Sequence, residues 1–241
     1  MANTNPAASP HPNIRALKAA FPHTLPVLAG FLFLGMAYGV LMTSKGFSWV
    51  WSLLMSTCVF AGSMQFVAVT LLTAAFNPLY AFLLTLMVNA RHLFYGIAML
   101  GKYKGTGKAK PYLIFALCDE TFSILCSAEP PAGVSRTRFM LFVALLDQAY
   151  WVLGSLLGGI AGQFIPFNTE GLDFALTALF VVILVNQWKS TTRHAPVLIG
   201  LGCSVLALLL FVPDNFLIPA MALIGVVLTL CRNPLSKEEQ A

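Results

Sequence analysis

Arg91 and His92 sit in the middle of a stretch, Leu79 to Leu100, that is otherwise apolar enough to dissolve in lipid. Asp119 and Glu120 fall inside a second such stretch, and Asp147 inside a third. A full charge at the centre of a bilayer costs about 2.5–3.5 kcal/mol on insertion scales, so four facing lipid would cost on the order of 10 kcal/mol. They must therefore converge on an interior surface. Asn89 and His92, three residues apart, share a helix face that Tyr95 continues, with Arg91 to one side. Asp119 and Glu120 are adjacent and so lie roughly 100° apart around a helix, and Ser123 extends the Asp119 face. Asp147 is followed by Gln148, Tyr150 and Trp151, while Ser63 and Gln65 bring further polar groups from an earlier segment.

Two kinds of chemistry fit this set. One is a structural ion pair, Arg91 with Asp119 or Glu120, holding helices in register. The other is a substrate site, in which a guanidinium fork receives a carboxylate and an acidic group receives an ammonium. Three acids face a single arginine, which leaves acids free to bind a cation or to titrate. A carboxyl group desolvated at such a depth favours its protonated form, which suits a proton carrier.

The elements that must position these residues follow from composition. Of 241 residues, 58% are hydrophobic and only 10% charged, against roughly 25% charged in soluble domains, and the mean hydropathy is +0.81. An all-α, polytopic membrane bundle is expected, because a span needs about 20 apolar residues and no alternating strand pattern is present. Apolar segments cover about 26–43, 49–76, 79–100, 112–127, 138–162, 172–189, 195–212 and 215–231, giving seven or eight. Residues 1–24 read as a polar tail, mobile or interfacial, 25–232 as a single transmembrane domain and 233–241 as a second polar tail.

The net charge of +5 does not point to nucleic acid, because Lys and Arg lie between apolar segments as topology signals. Gly101 to Ala109 resembles a phosphate loop only loosely: the first glycine of a Walker motif is absent and Ala109 stands where Ser or Thr should follow the lysine. Cys58, Cys118, Cys126, Cys203 and Cys231 match neither a zinc site nor a disulfide framework and are expected to pack. No metal or cofactor is expected, and no cleavable signal peptide is legible at the N-terminus.

Strict alternation of eight spans from an inside N-terminus would put Lys102, Lys104, Lys108 and Lys110 outside, against the positive-inside bias. The long second segment, with Ala61-Gly62-Ser63 at its centre, and the short fourth segment are therefore expected to be broken or re-entrant. With both re-entrant, every Lys- or Arg-rich connection except Lys45 falls inside, and Glu170, Asp173 and Asp214 fall outside. Gly35 and Gly39 in the first segment, and Gly154, Gly158 and Gly162 in the fifth, form stripes at four-residue spacing that suit close helix contact. His11, His23 and His194 read as interfacial, Asp173 as a helix N-terminal residue, and Asn186 and Gln187 as the end of their span.

AGSMQF at 61–66, NARHLFYG at 89–96, CDETF at 118–122, YWVLG at 150–154 and GLDFALTALF at 171–180 together resemble the AzlC family of branched-chain amino-acid permeases, from roughly Pro26 to the last apolar segment. The resemblance implies a cell inner-membrane exporter of valine, leucine or isoleucine, in some members methionine, working with a small multi-span subunit of the AzlD type. Site roles rest on the residues themselves. In the preferred reading Arg91, supported by Asn89 and Gln65, takes the carboxylate of the amino acid, and Asp119 or Glu120 takes its ammonium. Phe66, Phe94 and Phe122 supply an apolar wall, and a helix break at Gly62 and Ser63 offers free backbone groups. Protons drive the cycle, with Glu120 the first choice of titrating group and His92 and Asp147 alongside it. His92 reads equally well as a hydrogen-bonded packing group. The competing readings are an intramembrane serine hydrolase, with Ser63 as nucleophile and His92 as base, and an ion channel.

Overall fold

A computed structural model describes residues 11–75, 77–164, 178, 181, 184, 185, 188, 189, 194–211 and 217–231. The described residues are helical, with no strand among them: α1 is Pro12–Ser44, α2 Trp49–Cys58, α3 Gly62–Thr73, α4 Pro78–Met99, α5 Lys110–Phe115, α6 Asp119–Ser127, α7 Arg136–Phe164, α8 Ala195–Leu210 and α9 Leu217–Leu230. The chain divides into two compact units, residues 1–177 and 178–241. In the second unit α8 packs against α9, and His194, just before α8, stacks on Trp188 with ring centroids 3.8 Å apart. Glu170, Asp173, Asn186, Gln187 and Asp214 lie outside the described residues, as does nearly all of 171–180.

Three of the described helices, α1, α4 and α7, are long and apolar enough to cross a membrane. α1 corrects the expected tail, because the helix starts at Pro12 rather than near residue 25. Proline is well suited to a first helical turn, and Arg15 to Ala20 are strong helix formers. Hydropathy finds the apolar part of a helix; it does not find where the helix begins.

The glycine stripes of α1 and α7 meet. A methyl group on Gly35 would lie 2.9 Å from the Ser155 amide nitrogen, and one on Gly154 would lie 2.8 Å from the Leu32 carbonyl oxygen. Gly39 abuts Ser155 and Gly159, Gly158 abuts Met36, and Gly162 abuts Thr43. Further toward the start of both helices, Thr24 and Tyr150 share a buried hydrogen bond of 3.1 Å. Contacts advance in the same direction along both, so α1 and α7 run parallel. For two parallel spanning helices, the chain between them must cross an odd number of times. As α4 supplies one crossing, the second and fourth segments either both cross or both turn back.

Both of those segments are broken. The second is interrupted at Val59-Phe60-Ala61, between α2 and α3, where Phe60 takes a φ of 44°. That is the left-handed region, which bulky side chains rarely occupy. The fourth is interrupted at Ala116-Leu117-Cys118, between α5 and α6. Lys102 closes the far end of α6 by donating to the carbonyls of Leu125 at 2.6 Å and Cys126 at 2.8 Å, an arrangement suited to the negative end of a helix. All five cysteines are free; Cys203 packs inward, while Cys58 and Cys126 are exposed.

Candidate functional site

The two breaks place two helix starts on either side of Arg91. Ser63 is in the first turn of α3, Asp119 opens α6, and α4 carries Arg91 between them. Nη2 of Arg91 donates to Ser63 Oγ at 2.7 Å, and Nη1 lies 2.9 Å from Asp119 Oδ2. One guanidinium therefore ties both broken segments to the intervening span. The bridge is not saturated: Arg91 Nε and Asp119 Oδ1 are buried without a hydrogen-bond partner among the described residues. Leaving such groups unpaired costs about 1–3 kcal/mol each, more when they are charged. The side chains of Arg91 and Asp119 keep 23% and 26% of their surface, so the pair is neither sealed nor fully solvated. An unused donor on the cation and an unused acceptor on the anion are what a small zwitterion would need.

Residues on both sides of Arg91 reach a cavity of about 670 Å³, within the roughly 300–1,000 Å³ of ligand sites. Asn89 and His92 line it from α4, Phe60 and Ala61 from the first break, and Phe115 and Leu117 from beside the second. His92 Nδ1 lies 3.3 Å from the Asn89 carbonyl, and Ser63 Oγ receives Arg91. A Ser63–His92 nucleophile and base pair is thus not assembled among the described residues.

Gln65, expected beside Arg91, lies elsewhere. It is fully buried, donates through Nε2 to Ser56 Oγ at 3.1 Å, and accepts at Oε1 from Trp151 Nε1 at 2.8 Å. Two residues beyond Ser63 is roughly 200° around a helix, which turns Gln65 toward α2 and α7. The indole of Trp151 also lies beneath Gly62, where a methyl group would come 3.2 Å from Cη2. Gln65 and Trp151 therefore fix the start of α3. The three phenylalanines expected to form one wall are dispersed. Phe66 is buried against Tyr38, Phe94 is 68% exposed, and Phe122 stacks on Tyr95 with centroids 4.4 Å apart.

The acids separate into two environments. Asp119 faces Arg91, whereas Asp147 is fully buried on α7 and accepts at Oδ2 from Thr121 Oγ1 of α6 at 2.7 Å. Asp147 Oδ1 has no hydrogen-bond partner among the described residues. Thr121 Oγ1 is also 3.2 Å from Cys118 Sγ, and Glu120 neighbours the Cys118 thiol and the Asp119 carboxylate. Beside Asp147, Gln148 accepts from the Tyr112 hydroxyl at 2.6 Å and donates to the Thr57 carbonyl at 3.0 Å. Thr121 was not singled out in the sequence. Its one signal there is its place between Glu120 and Phe122 in a polar-rich helix start, which does not reveal which neighbour it meets.

Residues 26–165 match the family model described as AzlC protein. The chain is 55% identical to the Branched-chain amino acid transport protein AzlC of Bacillus subtilis, over 98% of this chain and 95% of that protein. It is 42% identical to an uncharacterized membrane protein of Haemophilus influenzae, over 91% of each. It is 27% identical to the Inner membrane protein YgaZ of Escherichia coli, over 92% of this chain and 91% of that protein. No solved structure matches the chain.

Proposed function

The chain belongs to the AzlC family, and on that premise we propose that it is a secondary transporter exporting branched-chain amino acids, with methionine as a further substrate. The observation that carries the proposal is the unsaturated Arg91–Asp119 pair, with its spare donor and acceptor, beside residues that line a cavity. Arg91 takes the substrate carboxylate, aided by Ser63 and Asn89, and Asp119 takes the ammonium. Charge-assisted bonds of this kind are about twice as strong as neutral ones. The aliphatic side chain enters the apolar part of the cavity, against Phe60 and Phe115. Gln65 and Phe66 act from behind by fixing α3. Export is coupled to protons, with Glu120 as the titrating group and His92 and Asp147 alongside it.

The names of two relatives support transport and an inner-membrane location. The two broken segments are read as re-entrant, which keeps the lysines of 102–110 inside, and a small AzlD-type subunit completes the exporter. Efflux of labelled valine from loaded vesicles tests the proposal. Arg91→Ala and Glu120→Gln should each abolish efflux while the protein remains folded and membrane-inserted. Wild-type rates in both variants would refute these roles.

A further inference from the structure

Two bonds hold the first turn of α6, and they lie on opposite sides of it. Asp119 reaches Arg91 of α4 and Thr121 reaches Asp147 of α7. Residues two apart on a helix are separated by roughly 200°, so this short helix is clasped between two longer ones. Each clasp ends in an acid with one buried oxygen left unpartnered, Asp119 Oδ1 and Asp147 Oδ1. At the Asp119 clasp the partner is a cation. At the Asp147 clasp it is a neutral hydroxyl, and a carboxylate with so little compensation is costly to keep charged in a buried place.

Among the described residues, the other titratable neighbours give Asp147 no cation. α6 brings Glu120 and Cys118, and α5 brings Tyr112. α2 supplies only the Thr57 carbonyl, to the adjacent Gln148, and α1 brings no charged group among those acting on Asp147. A proton is therefore the natural compensating charge at this clasp, as a zwitterion is at the other.

We infer that α6 is the coupling element: Thr121 is a positioning residue that transmits the protonation state of Asp147 across the first turn of α6 to the Arg91–Asp119 substrate clasp. Substrate binding places its carboxylate on Arg91 and its ammonium on Asp119, so the α4 side of α6 is then held through the substrate. Loss of the proton from Asp147 leaves two charged oxygens that draw the Thr121 hydroxyl as donor; gain of the proton puts a competing donor there and loosens that hold. The two ligands thereby act on the same helix from opposite sides. The inference rests on the transport reading above and adds to it the route of coupling and the part played by Thr121.

The test compares two activities in proteoliposomes holding the purified protein together with its AzlD-type subunit: valine exchange without a pH gradient, and valine efflux driven by an imposed one. Thr121→Val should retain exchange while the ratio of driven to undriven efflux falls to unity, and Thr121→Ser should restore the wild-type ratio. Thr121→Ala, which also removes the hydroxyl, should behave as Thr121→Val and serves where that variant does not fold. A wild-type gradient response in folded Thr121→Val or Thr121→Ala would overturn the inference, as would loss of exchange in folded Thr121→Ala. Absence of valine exchange in the wild type would overturn the transport reading, and this inference with it.

Discussion

Arg91 uses two different terminal nitrogens to reach two different helices, Nη2 to Ser63 and Nη1 to Asp119. A lysine is a single point charge that cannot span that fork. Arg91→Lys should therefore retain the protein in the membrane yet weaken valine binding by about 10- to 150-fold, the equivalent of one charge-assisted hydrogen bond at about 1.5–3 kcal/mol. Titration calorimetry on purified protein reads this directly, and unchanged affinity would count against the fork. Trp151→Phe should act differently. It strands Gln65 Oε1 in a fully buried place, at a cost of about 1–3 kcal/mol, and should lower the melting temperature in detergent more than it lowers valine affinity. The sequence made Arg91, Ser63 and Asp119 legible because a charge in an apolar run needs partners. It could not place Gln65, Phe66 or Phe94, because the face a helix turns inward is set by its packing against neighbours distant in the chain.

At the scale of elements, the decisive features are the two breaks and the glycine seam. The seam makes a graded test within one helix. Gly39 abuts the backbone of α7, whereas Gly30 has no atom within 4 Å of the position a methyl would take. Gly39→Ala should destabilise the fold by about 1–3 kcal/mol, the usual result of overpacking, and Gly30→Ala, unhindered inside a helix, should raise thermal stability slightly, by about 0.5–1 kcal/mol. Equal melting temperatures for the two would show that α1 and α7 do not approach as described. The seam could be read in advance from glycine spacing, and a first break from an overlong segment, but the break expected at Gly62 and Ser63 lies at Val59-Phe60-Ala61, and those two residues open α3. The second break was signalled only by a short segment between basic residues, and nothing local to Ala116-Leu117-Cys118 marks it by turn chemistry. The early start of α1 was missed because helix propensity, not apolarity, sets it.

For the whole molecule, the parallel run of α1 and α7 limits the topology to two cases, and the positive-inside bias favours the one in which both broken segments turn back. With both broken segments turning back, Lys104 and Ser135 lie on the cytoplasmic side. Single cysteines at these positions, in a background with all five native cysteines replaced, should stay unlabelled by an impermeant maleimide until cells are permeabilised. Labelling at position 104 in intact cells would instead require both segments to cross. That the chain is a helical membrane protein followed from composition. The convergence of its charges followed from the cost of burying them, while their pairing depended on tertiary register. The most direct measurement of a shared site for a zwitterion is competition for labelled valine efflux by valine analogues lacking one charged end. Unlabelled L-valine should compete, and neither isovalerate, which lacks the ammonium, nor isobutylamine, which lacks the carboxylate, should do so. Competition by either analogue equal to that of valine would contradict recognition of both ends by Arg91 and Asp119.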